Sequence, residues 1–283
     1  MDWLTDHKIP LGDWISSFVD FLNTHAAGFF DLISEVLRYL IVGMVEIMQW
    51  FHPLLLVVMF AALAWWLHRS WVLALGTLLS LLLVINLGYW EATVETLVMV
   101  LFATLVCLLA GVPLGIAAAH RPWLYTVIRP VLDLMQTIPT FVYLIPTLIL
   151  FGLGVVPGLI STVIFAIPAP VRLTYLGVSS VPKPLLEAGE AFGATRSQLL
   201  WKIELPCAMP TIMAGVTQCI MLSLSMVVIA ALVGADGLGK PVVRALNTVN
   251  IQKGFEAGLA IVIIAILLDR IFKRPGKNTH KEN

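Results

Sequence analysis

From Phe141 to Val171 the chain runs 31 residues without a charged side chain, and from Cys207 to Ala235 it does so again. A helix needs about 20 mainly apolar residues to cross the hydrocarbon of a bilayer. Runs of this length belong in a membrane, where each backbone N–H must find its partner inside its own helix. The first is too long for one crossing, since at about 1.5 Å per residue it extends about 46 Å against about 30 Å of hydrocarbon. Gly152, Gly154, Pro157 and Gly158 fall near its middle and predict two helices joined by a tight turn. Thr93–Ala119 makes another long span. Pro53–Leu67 and Trp71–Tyr89 make a pair joined by His68-Arg69-Ser70, and Ala257–Phe272 a last span whose final turn includes Asp269 and Arg270. The expectation is an all-α polytopic membrane bundle of about seven transmembrane helices.

Charge agrees with this. Hydrophobic residues are 59% and charged ones 12% of the 283, where a soluble chain carries about 25% charge. The formal net charge is zero, which argues against a nucleic-acid partner. Cys107, Cys207 and Cys219 lack C-x-x-C spacing, so neither a structural disulfide nor a metal site is expected. The N-terminus holds Asp2 and Asp6 with a single Lys8, the reverse of a signal peptide's basic start, so no cleavage is expected.

Lysine and arginine then set the orientation, because cytoplasmic loops carry their excess. Arg270 and the tail 273–283, with Lys273, Arg274, Lys277 and Lys281, are placed inside. Walking back through the spans places Lys183, Arg196 and Lys202 inside, then Arg121 and Arg129, then Arg69. Lys240, Arg244 and Lys253 fall outside, with Lys8 and Arg38 of the N-terminal segment, and the first three fit the rule least well. Residues 1–50 differ in kind, with seven acidic residues against Lys8 and Arg38. Asp31, Glu35, Arg38 and Glu46 recur at helical spacing beside Phe29, Ile33, Leu37 and Leu40. That pattern suits a helix lying in the membrane interface, with an eighth, tilted span as the alternative. Residues 51–90 then form two accessory helices and 91–272 the core.

A polar stretch, 182–206, separates two of the spans. Pro182-Lys183-Pro184 opens it, and a proline suits a first helical turn. Leu185, Ala188 and Phe192 build an apolar edge, with Glu187 and Glu190 beside it. Gly193 stands where the chain must leave the helix axis in a left-handed conformation. Thr195 or Ser197 can cap a second short helix, and Pro206 marks a break before the next span. Two short helices joined at a glycine make a compact amphipathic knob suited to a partner's groove. A plain re-entry loop would use the same glycine and proline.

The spacing within this stretch is Glu187-Ala188, four residues, Gly193, nine residues, then Ile203-x-Leu205-Pro206. It resembles the EAA loop of the membrane subunits of bacterial ABC importers. The resemblance implies a cytoplasmic coupling element in which Glu187, Ala188, Gly189, Glu190, Gly193, Ile203, Leu205 and Pro206 receive the work of an ATP-hydrolysing partner. The family has Ala where this chain has Gly189, and Gly weakens a helix by about 1 kcal/mol, so a less rigid first helix is expected. Asp133–Pro139, Phe141–Pro146 and Leu224–Ala230 further resemble the glycine betaine/proline permeases of osmoprotectant importers, over Tyr89 to Arg270. That resemblance implies a type I ABC importer permease fold in the bacterial cytoplasmic membrane. It also implies a second copy of the chain or an equivalent, a cytoplasmic ATPase and an extracellular or periplasmic binding protein for a quaternary ammonium solute. No cofactor is expected on this chain, since ATP and magnesium belong to the ATPase.

Polar side chains at membrane depth usually face the bundle interior or a watery path. Gln136, Thr137, Tyr143, Gln218, Ser223 and Ser225, with Pro139 breaking the backbone ladder, are the candidates for a translocation path. Serines bonding their own helix are the simpler alternative. Gly234-Ala235-Asp236-Gly237-Leu238-Gly239-Lys240 fits G-x-x-x-x-G-K, but Pro241 stands where a phosphate loop needs Ser or Thr. It reads as an extracellular turn. Gly111–Gly115 fits G-x-x-x-G, a helix-packing pattern that is also common by chance. A secondary carrier, the rival class, would need an intramembrane carboxylate, and Asp133 and Asp269 lie near span ends. An intramembrane enzyme is not expected, because the six histidines are scattered and form no H-E-x-x-H.

Overall fold

The computed structural model describes residues 10–273, all of whose regular elements are helical. Arg274, Lys277 and Lys281 of the basic tail lie outside the described residues, as do Asp2, Asp6 and Lys8.

The core is built from α4 (Trp90–His120), α7 (Val155–Ala166), α8 (Pro168–Ser179) and α11 (Leu205–Ala230). Apolar helices gain little from one another by the hydrophobic effect in lipid, so close contact at small residues must hold them. The Gly111/Gly115 pair does this on α4. A Cβ at Gly115 would stand 2.7 Å from both the Thr174 Cβ and the Val171 carbonyl oxygen of α8. On its other side α8 meets α11 at Gly177, where a Cβ would lie 3.1 Å from that of Ala208. So α8 is wedged between α4 and α11 by a glycine on each side. Val98, Met99 and Val100 of α4, Leu159 of α7 and Ile220 and Val227 of α11 fill the buried centre.

The run Phe141–Val171 divides as its glycines predict. α6 (Thr140–Phe151) ends at Gly152 with φ +74, and α7 starts after Gly154 with φ +130. The later boundary differs from expectation. α7 and α8 together form one 25-residue span, Val155–Ser179, which continues through Arg172. A charge ended the apolar run in the sequence, but Arg172 is neutralised by Asp133 of α5 (Pro122–Thr137), with Nη2 2.6 Å from Oδ1. Tyr125 of α5 stacks on Tyr175 of α8 beside that pair.

Among the described residues, three paths are long and apolar enough to cross a membrane: Trp90–His120, Val155–Ser179 and Arg196–Val233. They become five if each bent helix pair counts as one span, so helix lengths alone do not give the seven that the hydropathy runs suggest. α2 (Pro53–His68) and α3 (Trp71–Asn86) have 16 residues each, and α6 has 12. The charges of α13 (Ile251–Phe272), Lys253, Glu256, Asp269 and Arg270, all lie near its two ends.

Residues 11–50 form a single helix, α1 (Leu11–Trp50), about 60 Å long at 1.5 Å per residue. It is kinked at Ala26 (φ −122°, ψ 17°). Beyond the kink it packs on the bundle, with Ile41 buried in the core and the Phe30 ring 5.3 Å from that of Phe151. Before the kink, Trp14, Ile15, Phe18 and Phe21 are all exposed. The chain then bends by 99° into α2.

Candidate coupling loop and pore face

The polar stretch folds as two helices joined at Gly193. α9 (Lys183–Ala191) begins with Pro184 in its first turn and ends in a glycine-centred cap. Gly193 adopts φ +77; its N–H donates to the Glu190 carbonyl at 2.8 Å, and the Ala194 N–H donates to that of Gly189 at 3.0 Å. These are the two bonds of a Schellman closure. Thr195 caps α10 (Arg196–Leu199) in a reciprocal box with Gln198. The Gln198 N–H donates to the threonine hydroxyl at 3.3 Å, and the Thr195 N–H to the glutamine side chain at 2.8 Å.

Gly189 explains how the two pieces stay together. A Cβ there would lie 2.6 Å from Leu199 Cδ2 and 2.7 Å from Ile203 Cδ1. The expected loss of rigidity is thus only part of its effect: the missing methyl lets α9 sit close on the returning helix. Both neighbours are tips of flexible side chains, so the alanine of the resembled family is accommodated by a small repacking. With Gly189 and Leu186 turned inward, Leu185, Glu187, Ala188, Glu190 and Phe192 face out. Phe192 is 93% exposed. Leu185, Ala188 and Phe192 thus form an apolar edge on the outside of the polar loop.

Pro206 does not break the chain as expected. The path Arg196–Val233 is continuous over 38 residues, and a π-helical turn, Leu200–Glu204, precedes the proline. Proline clashes with the carbonyl four residues back in an α-helix, and the wider turn relieves this by pairing the Leu205 N–H with the Leu200 carbonyl. π turns often mark functional sites.

Glu204, the last residue of that turn, is buried, and its Oε2 accepts from His120 Nε2 at 2.7 Å. His120 is the final residue of α4. Sequence reading passed over both residues. The available signal was a carboxylate set between Ile203 and Leu205 at the mouth of an apolar run, since a buried carboxylate requires a partner. Asp133 and Asp269, the acids weighed for ion coupling, are paired with Arg172 and with Lys273 (3.8 Å) respectively.

The pore candidates fall into separate groups. Gln136, Thr137, Pro139 and Tyr143 surround the 97° bend between α5 and α6. The Tyr143 hydroxyl donates to the Met135 carbonyl at 2.8 Å and so pins that bend. Gln218 and Ser225 share an exposed face of α11 with Ala214 and Met221. Ser225 bonds its own helix, donating to the Met221 carbonyl at 3.1 Å, as the simpler alternative anticipates. Ser223 lies on the opposite, fully buried face, and its hydroxyl has no partner among the described residues. A groove of about 600 Å³ runs beside the exposed face, lined by Pro210, Met213, Thr217 and Gln218, and reaching Phe272 at the end of α13 and Lys273 just beyond it.

The opposite end of the bundle holds the phosphate-loop lookalike. It is a close-packed turn: Gly237 takes φ +111 against Thr96, whose hydroxyl accepts from the Leu238 N–H at 2.8 Å. Lys240 pairs with Asp236. Beyond the turn lies α12 (Gly239–Asn247). Lys240, Arg244 and Lys253 share a cleft of about 590 Å³ with Glu91 and Glu95. The basic residues that fit the orientation rule least well are therefore balanced by nearby acids.

Comparison with known proteins places this architecture. A family model described as binding-protein-dependent transport system inner membrane component matches residues 111–274. A glycine betaine transport system permease protein of Bacillus subtilis is 48% identical, covering 93% of each chain. A glycine betaine/carnitine transport permease protein of Listeria monocytogenes is 44% identical, covering 97% of this chain and 98% of that one. Among solved structures, one of the inward-facing MetNI methionine ABC transporter superposes with a TM-score of 0.60 at 23% identity, covering 66% of this chain and 93% of that chain. The fold is thus that of a type I ABC importer permease, and the chain belongs to the family of binding-protein-dependent transport system inner membrane components, multi-pass proteins of the bacterial inner membrane.

Proposed function

We propose that this chain is the pore subunit through which a small quaternary ammonium osmolyte, glycine betaine or a close relative, enters the cell. An ATP-hydrolysing subunit binds the outward edge of α9 in the cytoplasm and drives the knob 182–206. ATP and magnesium are used there, and the permease itself carries no cofactor. A second copy faces the exposed side of α11, so that Gln218 and Ser225 line the path between them. A solute-capturing protein docks at the opposite end, around the cleft between α4 and α12.

The observation that carries this reading is the exposed Phe192 on a loop otherwise closed by its own caps. The names of the relatives at 44% and 48% identity support the solute class. A permeation path must release its solute readily, so the tight aromatic recognition of a trimethylammonium group belongs to the capturing protein. The test is uptake of labelled glycine betaine at high osmolarity in cells lacking other osmolyte transporters, with the ATPase and capturing protein expressed with and without this chain. Uptake requiring both the chain and ATP is the expected result. Uptake that survives ATP depletion but fails without a proton gradient would overturn it.

A further inference from the structure

A second groove, of about 430 Å³, lies between α3 and α13 and takes no part in the transport site described above. Its wall on α3 is Leu73, Gly76, Thr77 and Ser80, and on α13 Ile263 and Leu267. At one mouth stand Ser70 and Arg270. This mouth is at the same end of the bundle as the coupling loop, because Phe272 and Lys273 share a groove with Pro206.

The charge around the mouth is one-sided. Arg69 lies on the turn next to Ser70, exposed, with φ +53. Neither Arg69 nor Arg270 has an acidic partner among the described residues; the nearby Asp269 is engaged by Lys273. His68 fixes the turn against α13 through its Nε2 and the Ile271 carbonyl, 3.2 Å apart. Trp66 and Trp71 are exposed at the same level, and the Trp65 and Trp71 rings lie 5.4 Å apart. Exposed tryptophans beside basic residues mark the membrane–water boundary. Below them Val72, Leu75, Leu79 and Ile266 expose apolar surface on the flank of the groove, which therefore opens sideways into hydrocarbon. A water-soluble solute has no approach from that side.

We infer that this groove is a binding site for one anionic phospholipid, with its phosphate at Arg270, Ser70 and Arg69 and an acyl chain laid along Gly76. Two cationic side chains at headgroup height select a negative headgroup over a zwitterionic one. Gly76 leaves the room: a Cβ built there meets nothing within 4 Å.

Native mass spectrometry of the full-length chain in mild detergent, titrated with phosphatidylglycerol and with phosphatidylcholine, tests the site. The expected result is one phosphatidylglycerol retained per chain and no comparable retention of phosphatidylcholine. Arg270→Gln should weaken retention about fivefold, and adding Arg69→Gln should weaken it again by a similar factor. Gly76→Phe, which fills the groove but keeps both arginines, should abolish retention. Equal retention of the two lipids, or retention unchanged by Gly76→Phe, would overturn the assignment. So would cross-linking of Gly76→Cys to the same position in another copy in membranes, because Gly76 and Ser80 also have the small-residue spacing that can seat a helix.

Discussion

His120, the last residue of α4, hydrogen-bonds through Nε2 to the Glu204 carboxylate at 2.7 Å, tying a core helix to the π turn behind the coupling loop. Removing the imidazole leaves a buried carboxylate short of its partner. His120→Ala should lower thermal stability by about 1 kcal/mol, toward the low end of the range for an orphaned buried acceptor because the histidine is half exposed. Glu204→Gln in that background should recover part of the loss, as an amide tolerates isolation better than a charge. Strictly additive effects in the double-mutant cycle would refute the pairing.

Gly193 is held at φ +77 with open space around it. Gly193→Asp should cost about 1–2 kcal/mol locally, the penalty of a left-handed non-glycine residue, and leave the bundle folded. Solute uptake and copurification of the ATPase should both fall sharply. Normal uptake by this variant would sink the coupling role of the loop.

Phe192 is the most exposed large apolar side chain of the loop, at 93% against 68% for Trp201 and 46% for Leu185, so Phe192→Asp isolates partner binding from folding. The melting temperature of the permease alone should stay within the range of an ordinary surface change, about 0.5 kcal/mol in stability. Loss of ATPase copurification is the expected outcome, and unchanged copurification would move the docking surface elsewhere.

At Gly115 the opposite balance holds. A methyl group there meets the Val171 carbonyl oxygen and the Thr174 Cβ at 2.7 Å, and neither can rotate away. Gly115→Ala should destabilise the bundle by about 1–3 kcal/mol through overpacking, while Gly76→Ala, in open space, should not. Resistance to limited proteolysis in detergent would rank the two.

Paired cysteines distinguish the faces of α11. Gln218→Cys and Ser225→Cys should cross-link between copies in membranes, and Ser223→Cys, on the buried face, should not. Cross-linking at Ser223 alone would reverse the assignment of the pore side.

Much of this was legible in the sequence because local chemistry decided it. The Gly152–Gly154 turn, the left-handed Gly193 and the Thr195 cap each follow from what one residue type does best, and each stands where expected. Less legible were features created by a distant partner. Arg172 ended an apolar run in sequence but lies inside a span because Asp133, 39 positions away, neutralises it. The His120–Glu204 pair joins residues 84 apart, and no local pattern announces it. Gly189 read as a weakness of α9 because the side chains that need its missing methyl come from the returning helix.

The π turn has a geometric consequence of its own. Each residue of an α-helix advances the direction of its side chain by about 100°, and a π turn inserts one residue beyond the α count. Leu200–Glu204 therefore sets the angular phase between the knob and the face of α11 that carries Gln218 and Ser225. A chain one residue shorter there would aim Phe192 about a quarter-turn away while leaving every other helix in place.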